Sequence, residues 1–130
     1  MKTISILVPE TAVASGVTGP RYLFTKANQF LQADGQDPLF KVQMVGQTKE
    51  VRIQDGAYTI TADVLMKDAQ QADLVIIPPL FGNMDAAVAL NKATLPWIIE
   101  QHSNGAEIAS LCVGAFLLAS TGLLDGKKCS

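Results

Sequence analysis

Cys112 is the residue of this 130-residue sequence whose surroundings best suit nucleophilic chemistry. It stands in Glu107–Leu124, EIASLCVGAFLLASTGLL, where no proline or charge interrupts residues 108–124 and Ser110, Gly114 and Ala115 flank the thiol with small side chains. The pattern reads as a short buried strand over Glu107–Leu111, then Cys112, then a helix from Val113. A residue between a buried strand and a helix sits on a sharp turn at the carboxyl edge of a sheet, looking along the amide groups of the helix N-terminus. Those amides and the helix dipole favour an anion, and therefore the thiolate, the nucleophilic form of cysteine. Gly114 leaves room for the helix to pack closely on the strand. Two plainer readings compete. Free cysteine is among the most buried residue types, so Cys112 is equally a core residue on local pattern alone. A membrane span needs about 20 mainly apolar residues; this run is shorter and holds two glycines and several hydroxyls.

Other candidates carry less. His102 is the only histidine. It falls at the C-terminal end of the helix before the elbow strand, on the opposite edge of the sheet from Cys112, where a cation suits the helix dipole. No second His or Cys lies at metal-ligand spacing, so no metal is expected. Gly16-Val17-Thr18-Gly19 is neither a dinucleotide fingerprint nor a phosphate loop, and no cofactor is expected. Asp63, Asp68 and Asp73 read as solvated caps. Arg21 reads as a surface residue before a partner for an anionic ligand. Phe81 is a pocket wall or a core residue, Cys129 has no arguable role, and Tyr58 and Ile60 face solvent or a second subunit.

The elements that would position these residues follow from periodicity. Thr3–Val8 (TISILV), closed by Pro9, is a strand buried on both faces. A loop over Glu10–Gly19 leads to a helix opened by Thr18-Gly19-Pro20, with Leu23, Ala27, Phe30 and Leu31 as its apolar stripe and Gly35 as its cap. Leu39–Val45 is a second strand, and Glu50–Thr61 a hairpin around Asp55-Gly56. Asp63–Ala72 reads as a short helix and Asp73–Ile77 as a strand stopped by Pro78-Pro79. A loop over Leu80–Asn83 precedes a helix over Asp85–His102 carrying Trp97-Ile98 on its apolar stripe. Strands alternating with helices require right-handed crossovers and a parallel sheet. The fold class is therefore α/β, a three-layer, flavodoxin-like sandwich with a mostly parallel sheet and one hairpin. Ligands bind such folds at the carboxyl ends of the strands, where the loops Pro9–Gly19, Pro78–Asn83 and Cys112–Gly114 meet.

Composition agrees. The chain is long enough for a single domain with a real core, and at 48% hydrophobic and 17% charged residues it is globular. A net charge of −2 offers no basic face for nucleic acid. Two cysteines make no disulfide framework, which fits a reducing, cytoplasmic compartment, and the apolar run near the N-terminus is too short for a signal peptide. Gly126-Lys127-Lys128 reads as the lead into a further strand, so the expectation is an incomplete, C-terminally truncated domain.

Several segments now match one pattern: ILVP at the end of the first strand, Val17-Thr18-Gly19-Pro20 after it, the hairpin, DLVIIP, and above all IASLCVGAFLLASTGLLDGKK. Together they resemble the ThiJ/PfpI superfamily, of the class I glutamine amidotransferase-like fold, and most closely the N-terminal domain of AraC-family transcription regulators. The resemblance covers essentially the whole chain and implies that Cys112 occupies the elbow. It also implies a carboxylate three residues before the T-G-P, where this sequence has Gly16, and a P-G-G segment whose amides polarise substrate, where it has Pro78-Pro79-Leu80. Pro79 has no N–H to give, while Leu80 keeps one. A thiol needs a base or a stabilised thiolate, and an oxyanion needs donors; losing one donor typically costs about 100- to 1000-fold in rate.

The resemblance and these departures together imply a non-catalytic domain that senses a small-molecule effector and forms a homodimer. Gly16, Leu80, Phe81, Gly82, Cys112 and Val113 would line its ligand site, and a DNA-binding helix-turn-helix would lie beyond residue 130. The alternative is a small cysteine enzyme, hydratase, glyoxalase-like or amidase-like, using Cys112; a purely structural dimer module is a third. No membrane partner is expected. The elbow reading predicts that iodoacetamide alkylates Cys112 faster at neutral pH than Cys129 or a free model thiol. A rate at or below the model thiol would mark an inert cysteine.

Overall fold

The computed structural model describes residues 1–129. Its strands are β1 (Lys2–Leu7), β2 (Phe40–Gly46), β3 (Glu50–Ile53), β4 (Tyr58–Thr61), β5 (Val64–Leu65), β6 (Leu74–Ile77) and β7 (Glu107–Ser110); its helices are α1 (Ala14–Ala33), α2 (Met84–Leu90), α3 (Leu95–Ser103) and α4 (Ala115–Ala119). The β-branched run after Met1 becomes the central strand. Ile6 of β1 stands between Met44 of β2 and Ile76 of β6, and Ile76 is followed outward by Ala109 of β7. The sheet order is β5-β2-β1-β6-β7, every pairing parallel.

A strand without polar alternation must be covered on both sides, and β1 is. Ile4, Ile6 and Val8 join Val17 of α1 and Val51 and Ile53 of the β3–β4 hairpin on one face. Leu7 joins Val75, Ile77, Trp97, Ile98, Leu117 and Leu118 on the face covered by α2, α3 and α4. Each such fully buried side chain contributes about 1.5–3 kcal/mol. The result is the three-layer α/β sandwich with a mostly parallel sheet and one antiparallel hairpin that the sequence pattern implies.

Several boundaries differ from the pattern, each through a long-range contact. Helix α1 begins at Ala14 rather than at Pro20, because the Gln54 side chain of the hairpin turn accepts the Ala14 N–H at 3.0 Å. The helix then runs through Pro20 at the loss of one backbone donor. Its expected inner stripe is also rotated: Leu23 and Phe30 are 67% and 72% exposed, and Phe24 packs inward, edge-on to Phe40. The expected helix over Asp63–Ala72 is strand β5 followed by a single 3₁₀ turn over Met66–Asp68. Edge pairing with β2 wins there, with the Asp63 carboxylate accepting the Met44 N–H at 2.7 Å and pairing with Arg21. Arg21 is thereby a surface ion-pair residue.

The long helix expected over Asp85–His102 is broken into α2 and α3 at Asn91. Asn91 is fully buried. Its side chain accepts the Glu10 N–H and donates to the Glu10 carbonyl, both at 2.9 Å. Those bonds satisfy a buried side-chain amide that would otherwise be left unpaired, at a cost of about 1–3 kcal/mol per group.

Candidate functional site

The elbow begins where β7 ends. The Leu111 N–H donates to the Ile77 carbonyl at 2.9 Å, holding the chain against β6 for one residue more. Cys112 then turns with φ of +51°, a left-handed conformation uncommon outside glycine that costs about 1–3 kcal/mol. Its side chain is exposed at the carboxyl edge of the sheet. The chain continues as a 3₁₀ turn over Cys112–Gly114, closed by the Gly114 N–H on the Leu111 carbonyl, and becomes α-helical only at Ala115 rather than at Val113. The tighter turn lets the chain leave the strand over the end of β6. A Cβ on Gly114 would lie 2.5 Å from the Pro78 carbonyl oxygen and 2.8 Å from that of Ile77, so only glycine fits.

The second wall is the segment after β6. It crosses back towards the loop after β1: the Val13 N–H donates to the Pro79 carbonyl at 2.8 Å and the Phe81 N–H to the Thr11 carbonyl at 2.6 Å, framing an antiparallel Ala12–Leu80 pair. In such a frame the enclosed pair turns its own N–H groups outward, so the amide of Leu80 faces away from residues 11–13, the side on which β7 and the elbow lie. The Leu80 side chain itself is core, 2% exposed.

Gly16 is the third wall. It is buried in the first turn of α1, and a Cβ there would collide with the ring of Pro79 and come within 3.1 Å of the Pro78 Cβ. The two departures from the T-G-P and P-G-G patterns are therefore one contact: the proline ring occupies the volume that any side chain at position 16 would need. Sheet order reverses direction between β1 and β6, and ligands of open α/β sheets enter at that crevice. Here the 11–13/79–81 ladder bridges it.

The expected site residues thus divide. Cys112 is exposed, Val113 half-buried, and Gly16 and Leu80 are taken up in closed contacts. Phe81 and Gly82 are exposed and border a cleft of about 230 Å³ with Thr11, Asp55 and Leu90; Cys112 is not among its lining residues. His102 lies on the last turn of α3 and borders a groove of about 540 Å³ along β7, lined by Ile108, Leu118, Leu124 and Lys127. Among the described residues no three His, Cys, Asp or Glu side chains are gathered for a metal, and no helix is long and apolar enough to cross a membrane.

One residue of the site escaped the sequence reading. Thr11, β-branched, is held at φ +66° with its hydroxyl buried and unpartnered, and nothing in its local sequence signals this; the Asn91 clamp, the Arg52 carbonyl and Phe81 impose it from outside.

The family comparison adds the decisive observation: the profile of the DJ-1/PfpI family matches residues 2–130. The chain belongs to the DJ-1/PfpI family. No curated protein matches its sequence. Among solved structures it is similar to a protein of Vibrio parahaemolyticus provisionally described as a transcriptional regulator, with a TM-score of 0.76 and 19% identity over 95% of this chain and 63% of that one. It is similar to a ThiJ/PfpI family protein of Pseudomonas syringae, with 0.75 and 20% over 96% and 48%. It is also similar to oxidized DJ-1 of Toxoplasma gondii, with 0.68 and 19% over 97% and 64%. The chain thus spans less than two thirds of the length of these neighbours, and at such identities the likeness establishes the DJ-1/PfpI fold alone.

The shared contact between Gly16 and Pro79 generates a coupling prediction. Gly16→Ala is expected to lower stability to urea by about 1–3 kcal/mol through overpacking. In the Pro79→Gly background the same substitution should cost at least about 1 kcal/mol less. Equal losses in both backgrounds would show that the ring does not fill the space beside position 16.

Proposed function

We propose that this chain is the effector-sensing, dimerising N-terminal part of an AraC-type transcription regulator. In this reading it is a cytoplasmic domain that binds its ligand without turning it over, and a DNA-binding helix-turn-helix lies beyond residue 130. The observation that carries the reading is the Pro79 ring packed on Gly16. It leaves no room for an acid side chain at position 16, where the family pattern has one, and proline supplies no amide at position 79. A structural neighbour provisionally described as a transcriptional regulator supports the regulatory half.

Dimerisation has its own support. The outer face of α1 leaves Leu23 and Phe30 largely in solvent, two large apolar side chains two turns apart on one face of the helix, where a second subunit could cover them. The second reading, a cysteine enzyme of the same fold, rests on one observation. A strained, exposed Cys112 is more than a core packing residue requires.

The product of the complete reading frame is expected to retard DNA from its own promoter in a mobility-shift assay, while residues 1–130 alone, with no basic face, retard none. A full-length product that fails to bind DNA would contradict the regulator assignment.

A further inference from the structure

Strand β7 ends the sheet, with β6 on one side and, among the described residues, no strand on the other. The Glu107 N–H donates to the Asp73 carbonyl at 3.0 Å and the Leu111 N–H to the Ile77 carbonyl at 2.9 Å. Backbone groups alternate along a strand, so residues 107, 109 and 111 face β6, while Ile108 and Ser110 turn both N–H and C=O outward. Natural sheets blunt such edges with very short strands, Lys or Pro. The other edge of this sheet is blunted, since β5 is only two residues long. Strand β7, EIAS, is four residues long and has neither Lys nor Pro. The groove of about 540 Å³ beside it adds an apolar wall from Ile108, Leu118, Leu123 and Leu124.

We propose that this edge is an interface with a second copy of the chain, the two β7 strands pairing antiparallel about a twofold axis at Ala109. In that register the strand is its own complement. Ile108 of each copy stands opposite Ser110 of the other, and the two outward-facing pairs exchange four backbone hydrogen bonds. Between them the two Ala109 residues form the close, non-hydrogen-bonded pair, with Cα atoms about 4.5 Å apart, where a small side chain fits. Charge agrees with the register. Glu107 is the only charged residue of β7, and it lies about 14 Å along the strand from its mate, beyond the screening length of about 8 Å at physiological salt. A twofold axis normal to the sheet keeps like faces together, so the apolar walls of both copies lie on one side of a continuous sheet. The interface is separate from the outer face of α1, a helix that packs on β1 and β2. It requires no DNA, effector or Cys112 chemistry, so it and the regulator reading can fail independently.

A disulfide trap reads the register directly. In the 130-residue chain carrying Cys112→Ser and Cys129→Ser, Ala109→Cys should cross-link to its mate when copper–phenanthroline is the oxidant, because bridged Cα atoms must lie within about 7 Å. Glu107→Cys, whose mate is about twice as far away, should cross-link at least about tenfold less. Ser110→Pro deletes an outward donor and spares the ladder to β6, so adding it to Ala109→Cys should abolish the cross-link. Phe30→Lys, on α1, should leave the cross-link unchanged. Sedimentation of the Phe30→Lys chain should give twice the monomer mass, halved by Ser110→Pro. No cross-link at Ala109→Cys, or an equal one at Glu107→Cys, would overturn the proposal. Loss of the cross-link with Phe30→Lys would assign association to α1 and overturn it equally. The comparison of Ala109→Cys with Glu107→Cys decides even if Ser110→Pro does not fold.

Discussion

Two hydrogen bonds between residues 11–13 and 79–81, with the Pro79 ring seated on Gly16 beneath them, hold the functional edge of this molecule in its shape. Strands β1 and β6 feed chains in opposite directions from the middle of a parallel sheet, which ordinarily opens a crevice for ligand. Here both chains fold back and pair instead. The hairpin is tied to the same loop, through the Gln54 N–H on the Ala12 carbonyl and the Gln54 side chain on the Ala14 N–H, and α2 is tied to it through Asn91. Four elements are thereby referenced to one short, strained stretch of backbone around Thr11.

That arrangement, on the proposed reading, lets an elbow persist with no side chain at position 16 to serve it. The left-handed turn at Cys112 depends only on β7 ending beside Ile77 and on Gly114 passing the Pro78 carbonyl. Neither contact requires an acid at position 16 or a donor at position 79. Fold and elbow belong to the DJ-1/PfpI family, while chemistry belongs to particular side chains placed around the elbow. At this edge the space for one of them is occupied by carbon.

What the sequence made legible was whatever depends on nearest neighbours along the chain. The unbroken β-branched run 3–8, the Asp55-Gly56 turn, the stop at Pro78-Pro79 and the sharp turn at Cys112 are local statements, and each appears in the structure. The missed features are settled by residues far away. Asn91 ends α2 because Glu10 needs a partner; β5 replaces a helix because the edge of β2 offers a ladder; α1 starts early because Gln54 caps it. The outward turn of Leu23 and Phe30 follows from the same cause, since where a helix starts and docks decides which of its apolar residues face the sheet. The site was legible in its membership and not in its openness: Gly16 and Leu80 belong to the right loops, yet only the packed structure reveals that they are closed against each other's segments.

The proposal that Cys112 turns over no substrate, because the Gly16–Pro79 contact leaves no room for an acid at position 16, is tested most directly by turnover. Incubating the complete protein and its Cys112→Ser variant with a 2-oxoaldehyde and with a panel of primary amides, and following products by NMR, should show the same background conversion for both. Conversion by the native protein that the Cys112→Ser variant loses, with its fold intact, would contradict the account.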